Sequence, residues 1–378
     1  MLAHALSRPA YGDVARSLSL ALAVAQLTMA GLAPAVARAV AGGQDDGRRR
    51  ARAAAARPLT LAACSAAALL VVPLAAAGLA PWRPGSVGPA VLVAAVYAVY
   101  FALKCVLFAL DEVALYARWE LIADGLFFAA LALLVLLAPG AALLVFALAY
   151  GVFVLAVWRR LAGARGRLAV DGGFRRYAAL ATVATYASVA RLPLVTALAG
   201  ALAGSRDAAG IAGVVAIVTP LFLVPQAAGM LTFAAVARAP GADHSARVGQ
   251  LVRAVAVCSA AVVLPLALLA RPVVELLLGP SYRNVAASFV IVALGSLPQL
   301  VATPVANAIS GEGAVGLNAA LASVSLAVAL GGAALLVPAY HVVGAACALA
   351  ASMSVLGLGT LAVGRRRFAL RLGAAVPA

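Results

Sequence analysis

Arg191 is the residue in this sequence best placed to do chemistry. It lies near the middle of an apolar run, 177–203, with Ser188 three residues before it and Pro193 two after. An arginine at the centre of a bilayer costs about 2.5–3.5 kcal/mol on insertion scales, and is retained where it meets water, an anion or a carboxylate. A guanidinium suits a diphosphate, which it can grip through two parallel N–H bonds. Arg191 and Ser188 are therefore candidate substrate-binding residues. The alternative is a structural role, with a carboxylate or helix carbonyls as partner.

Two further stripes carry polar groups at helical spacing. In the apolar run 285–309, Ser296, Gln299, Thr303 and Asn307 recur every three or four residues and share one helix face. Pro298 and Pro304 in the same run can bend the helix and free backbone carbonyls. In the run 87–109, Tyr97, Tyr100 and Lys104 form a similar face. A stripe of this kind lines a cavity or hydrogen-bonds between helices. Lys104 and Asp124 fall at similar depth on successive spans, which predicts a salt bridge, a gate, or a proton or cation site. Gln26 and Gln226 are weaker candidates. The four cysteines fall in apolar runs with no CxxC pair, and there are only three histidines, so no metal cluster is legible and no cofactor is expected.

The elements that must position these residues are membrane spans. Of the 378 residues 66% are hydrophobic and 11% charged, against about 45–50% and 25% in soluble domains. That excludes a soluble enzyme, a disordered chain and a disulfide scaffold. Runs long enough to cross a bilayer are read at 17–37, 58–80, 87–109, 121–138, 140–158, 177–203, 208–237, 248–270, 285–309, 316–338 and 341–363. The expectation is an all-α polytopic membrane protein of about eleven transmembrane helices. Loops are short, and no GxxxxGK[ST] phosphate loop appears. Net charge is +16, but the cations sit in short loops, which argues against nucleic acid. Of the 28 lysines and arginines, 21 fall in one set of alternate loops and six in the other, and Arg191 makes up the number. The positive-inside rule places the richer set, and the C-terminus, in the cytoplasm.

The chain also repeats itself. QLTMAGLAPAVAR at 26–38 resembles QAAGMLTFAAVAR at 226–238, and CSAAALLVVPLA from Cys64 resembles CSAAVVLPLALLA from Cys258. LSRPAYG at 6–12 resembles GSRDAAG at 204–210, which follows a full span, whereas almost nothing precedes residue 6. The expectation is two parallel six-helix repeats with the first helix missing, dividing the chain into bundles 1–165 and 166–378. Asp124 is then the repeat equivalent of Asn318.

These segments resemble polysaccharide flippases of the multidrug/oligosaccharidyl-lipid/polysaccharide (MOP) exporter superfamily. The resemblance is carried by LSRPAYGDVARSLSLALAVAQLTMAGLAPAVAR, RLPLVTALAGALAGSRDAAGIAGVVAIV, LARPVVELLLGPSYRNVAASFVIVALG and VPAYHVVGAACALAAS. Arg191 matches the arginine of the family's Asp-Arg pair, with Ala190 at the aspartate. Gly210-Ile211-Ala212 stands at Gly-x-Tyr, and His341 at the first glycine of Tyr-Gly-x-x-Gly-Ala-Ala. The resemblance implies a MATE-like fold and alternating-access movement of a polyprenyl-diphosphate-linked sugar from the inner to the outer leaflet of the cell membrane. It implies partners among membrane lipids and polysaccharide-assembly proteins, and no enzymatic activity. An ion-coupled multidrug exporter and a truncated non-transporting relative are the alternatives.

Overall fold

Within a bilayer every backbone N–H and C=O has to be satisfied inside the protein, and a helix does this within one segment. The computed structural model describes residues 6–43, 45–76, 84–137, 142–161, 170–239 and 244–368, and these contain helices and no strand. In chain order they are α1 (Arg8–Met29), α2 (Leu32–Ala41), α3 (Asp46–Ala55), α4 (Arg57–Ala76), α5 (Pro84–Ala109), α6 (Val113–Leu137), α7 (Ala142–Arg160), α8 (Gly172–Ala203), α9 (Ser205–Val218), α10 (Leu223–Arg238), α11 (Ser245–Leu268), α12 (Ala270–Leu278), α13 (Ala286–Gly311) and α14 (Val315–Arg367).

Among the described residues eight helices are long and apolar enough to cross a membrane, or nine if α1 and α2, bent by 46° at their junction, form one broken span. This count does not confirm the expected eleven. The segment α6, 25 residues and largely apolar, is not among the eight. The 53-residue α14 counts once, although it is an antiparallel hairpin. Ser325 donates to the carbonyl of Ser352, Gly332 faces Ala348, and Gly344 abuts Leu336. The turn is at His341, with φ 53° and ψ −130°. A non-glycine residue there costs about 1–3 kcal/mol. Its Nδ1 lies 2.9 Å from Asp207 Oδ2, which helps hold the turn.

The breaks in the two repeats have different causes. Between α1 and α2, a Cβ on Gly31 would lie 2.0 Å from the carbonyl oxygen of Ala178, so glycine lets α8 press against the backbone. Between α9 and α10, a 3-10 turn at Thr219–Phe222 contains Pro220, which has no N–H to continue the α-helical ladder.

Two apolar cores result. One gathers residues of α1 to α7 around Leu107 and Phe153; the other gathers α8, α9 and α11 to α14 around Phe289, Leu300 and Met353. Each borrows across the divide: Phe233 of α10 packs in the first core, and Tyr11 of α1 against the second. The equivalent segments LSRPAYG and GSRDAAG meet there. Arg8 Nε donates to the Arg206 carbonyl at 3.3 Å, Ser205 Oγ donates to Asp13 at 2.8 Å, and Gly12 lies on the Ser205 carbonyl. The loops sort to two ends as the arginine count requires. One end carries Asp111 with Arg238, Glu112 with Arg50 and Arg160, and Glu312 with Arg367; the other carries His341 with Asp207 and Glu275 with Arg271 and Arg283. Leu121, Leu148, Val257 and Leu335 are mostly exposed, as lipid-facing side chains are. The cysteines of the apolar runs differ in burial: Cys105 is buried, but Cys258 is exposed on α11.

Replacing a helix-interior glycine by alanine ordinarily stabilises a helix by about 0.5–1 kcal/mol. At Gly12 the added Cβ would sit 2.1 Å from the Ser205 carbonyl oxygen, whereas at Gly151 nothing lies within 4 Å. Gly12→Ala is expected to destabilise by about 1–3 kcal/mol and Gly151→Ala to be neutral or stabilising, read as opposite shifts of the unfolding midpoint in detergent.

Candidate functional site

The sequence-derived site residues fall into two separate clusters, one in each half. The second half's cluster is built on Arg191, which is 1% exposed. It stands on α8, and its guanidinium reaches α13 and α14. Nη1 donates to Ser325 Oγ at 2.8 Å, and Ser325 Oγ donates onward to the carbonyl of Ser352 at 2.8 Å. Nη2 donates to Gln299 Oε1. Nε has no hydrogen-bond partner. Among the described residues no carboxylate comes within ion-pair distance of Arg191. Its charge is met by neutral oxygens alone.

The local sequence explains how four helical segments can converge here. Gly357, on the second arm of α14, lies where a Cβ would sit 2.2 Å from the backbone of Pro298 and 2.3 Å from Gln299 N. Only glycine lets that arm press on α13 where Gln299 turns towards Arg191. Ala190 and Val195 flank the arginine with no exposed surface, so the guanidinium is sealed from lipid and water.

The other candidate residues on α8 and α13 make their hydrogen bonds elsewhere. Ser188 Oγ donates back to the Ala184 carbonyl in its own helix. Thr303 donates to the Gln299 carbonyl and Asn307 to the Thr303 carbonyl. Both side chains lie against α10, whose Gly229 would place a Cβ 2.5 Å from Asn307 Nδ2. The stripe on α13 is one helix face, as its spacing requires, but here it is divided between Arg191 and a helix contact.

The first half's cluster joins α5, α6 and α7. Tyr100 donates to Glu120 Oε1 at 2.5 Å, and Tyr150 donates to Asp124 Oδ1 at 2.8 Å. The ammonium of Lys104 lies over the rings of Tyr116 and Tyr100, 5.2 and 5.9 Å from their centroids, within reach of cation–π attraction. Tyr97 stacks beside Tyr100 at 5.7 Å, and Tyr100 meets Tyr150 edge-on at 4.9 Å. The expected Lys104–Asp124 salt bridge is not formed. Asp124 is taken by the Tyr150 hydroxyl, and the ammonium rests on aromatic faces with Glu120 as its electrostatic neighbour. Glu120 Oε2 is buried without a partner. Chemically, these phenols, the ammonium and two carboxylates can store or pass a proton, or hold a cation.

Sequence reasoning missed Ser325, Ser352, Tyr116 and Tyr150 as parts of these clusters. Tyr116, Glu120 and Asp124 recur at four-residue spacing on α6, a signal that was present. Ser325 and Ser352 had none, because only the hairpin brings them together.

No family model matches the sequence, and no curated protein matches it. Solved structures do resemble this fold. An inward-facing multidrug resistance MATE family transporter of the MOP superfamily superposes with a TM-score of 0.66 at 13% identity, covering 99% of this chain and 96% of its own. A MOP superfamily transporter from Pyrococcus furiosus, described as having a binding pocket of reverse polarity, gives 0.68 at 14% identity, covering 97% and 90%. A mutant of the Vibrio cholerae MATE transporter VcmN gives 0.66 at 14% identity, with the same coverage.

A buried guanidinium deprived of one acceptor loses more than the bond itself was worth. Gln299→Leu is expected to destabilise the protein by about 1–3 kcal/mol. The double variant Arg191→Met/Gln299→Leu is expected to regain most of that loss, because buried polar pairs replaced together by apolar groups of similar volume are often tolerated. A double-mutant cycle of detergent unfolding midpoints checks this; strictly additive effects would contradict it.

Proposed function

We propose that this chain, which has the fold of MATE and other MOP transporters, is a membrane transporter that flips a lipid-linked oligosaccharide or polysaccharide precursor between leaflets. The observation that carries the proposal is Arg191: a buried guanidinium with no carboxylate partner and an unpartnered Nε. Such a group is costly unless it serves an anion, and the diphosphate of a polyprenyl carrier is an anion of the right geometry.

In the state described here the guanidinium is closed over by Gln299 and Ser325. Alternating access requires the halves 1–165 and 166–378 to rock about their shared contacts, and exposing the α13 face now pressed on α10 requires a further shift of α10 within the second half. Gln299 then contacts the headgroup with Arg191, and Thr303, Asn307 and Ser188 meet the sugar. The lipid tail stays in the apolar phase. A crevice of about 400 Å³ between α1, α8 and α14, lined by Leu27, Tyr186, Ala187, Leu326 and Leu330, runs to within one helical turn of Arg191 and suits an acyl or prenyl chain. Tyr97 and Tyr100 join the substrate-contacting residues, and Lys104 and Asp124, beside Glu120, form the gate or ion-coupling site. The positive-inside rule puts the arginine-rich face, and with it the C-terminus, in the cytoplasm.

A second reading, an ion-coupled exporter of cationic drugs, is favoured by the partly buried Glu120 and Asp124, since carboxylates in a cleft attract cations. Binding distinguishes the two. Purified protein is expected to bind a polyprenyl-diphosphate-linked sugar saturably, with at least tenfold weaker binding in Arg191→Ala (about 1.4 kcal/mol). The Arg191→Met/Gln299→Leu variant serves as the folded control and is expected to bind as weakly. Binding of cationic drugs without the lipid would favour the exporter. Binding of neither would favour a non-transporting relative.

A further inference from the structure

At the arginine-poor end of the molecule, a pocket of about 550 Å³ opens between α1, α9 and the loop before α13. Arg8, Arg206, Asp207, Ser281, Arg283 and Asn284 line it. We propose that this pocket is an anion-binding site for a phosphate-bearing headgroup, separate from the Arg191 cluster and independent of the transport reading.

Three observations carry the proposal. First, Arg8 and Arg206 occupy equivalent positions in LSRPAYG and GSRDAAG, so the repeat brings one guanidinium to the pocket from each half. Second, both sit in the first turn of a helix, Arg8 in α1 and Arg206 in α9. The amide ends of helices favour anions and disfavour cations there. Two guanidinium groups thus converge at helix ends that disfavour them, and an anion between them offsets their mutual repulsion.

Third, the local carboxylates already have partners, Asp207 at the pocket wall included. Asp207 binds His341 at 2.9 Å, and Glu275 holds Arg283 at 3.0 Å and Arg271 at 3.2 Å. Arg8 is oriented by neutral acceptors only: the carbonyls of Arg206 and Ser281 and the Asn284 side chain, at 3.3, 3.2 and 3.1 Å. Its guanidinium also lies 5.0 Å from the centroid of the Tyr282 ring. Neither Arg8 nor Arg206 makes an ion pair among the described residues. The volume falls within the range of pockets that hold small ligands, about 300–1,000 Å³.

The phosphate could arrive on a soluble molecule or on a phospholipid of the surrounding leaflet, and the test separates these sources. Inorganic pyrophosphate is titrated against the full-length protein in nanodiscs of pure phosphatidylcholine and in nanodiscs containing phosphatidylglycerol. Saturable, salt-sensitive binding is expected in phosphatidylcholine. It is expected to weaken at least tenfold in Arg206→Gln, whose exposed side chain can change without disturbing the core. Arg271→Gln, on the same face but outside the pocket, is expected to bind as the unaltered protein does. Loss of pyrophosphate binding in phosphatidylglycerol identifies a lipid headgroup as occupant, and its persistence identifies a soluble one. Absence of binding in both nanodiscs, or equal weakening by Arg206→Gln and Arg271→Gln, would overturn the proposal. Arg191→Met/Gln299→Leu should leave this binding unchanged, which separates the pocket from the transport site.

Discussion

Helices in a bilayer gain little from hiding apolar side chains from one another, because the surrounding lipid is equally apolar. Their association rests on close van der Waals contact and a few hydrogen bonds, and small residues decide where that contact occurs. In this protein the close approaches are few and identifiable. Gly12 lies on the Ser205 carbonyl, Gly31 on the Ala178 carbonyl, Gly295 on Ala350 and Gly357 on Pro298 and Gln299. The first two join the halves of the molecule. The last two lock α13 to the hairpin and set the distance at which Gln299 and Ser325 reach Arg191. Widening the Gly357 contact by one methyl group would displace the acceptors of the most costly charge in the protein.

The two halves answer the problem of buried polarity differently. The first places two carboxylates and an ammonium among tyrosines, where each carboxylate accepts from a phenol and the cation rests on rings. The second buries a single guanidinium among neutral oxygens. The repeat fixes where polarity occurs, since Asp124 and Asn318 occupy equivalent positions, but not its sign. Asp124 accepts from Tyr150, whereas Asn318 donates to the Ala306 carbonyl and Ser310.

Strain is concentrated at the ends of helices. His341 holds a backbone conformation that favours glycine, and its imidazole is tied to Asp207, which also lines the pocket at that end. The hairpin turn, the start of α9 and the anion pocket are thus one connected unit.

Composition alone settled that this chain lives in a membrane, because 66% apolar residues leave no other solvent for most of its surface. The apolar runs located the helices, the loop arginines sorted the two ends, and the repeat anticipated that Arg8 and Arg206 are equivalent. A central arginine could be recognised from its surroundings in the chain, since depth in an apolar run is a local property. Partners were not legible. Ser325 and Ser352 become neighbours only because the chain reverses at His341; Lys104 meets tyrosine rings instead of Asp124 because Tyr150 arrives from a third helix; and Thr303 and Asn307 are diverted from Arg191 by the approach of α10 at Gly229. Periodicity reports which face of a helix a residue occupies. What that face meets depends on the packing of segments distant in sequence, and here a handful of glycines determines it.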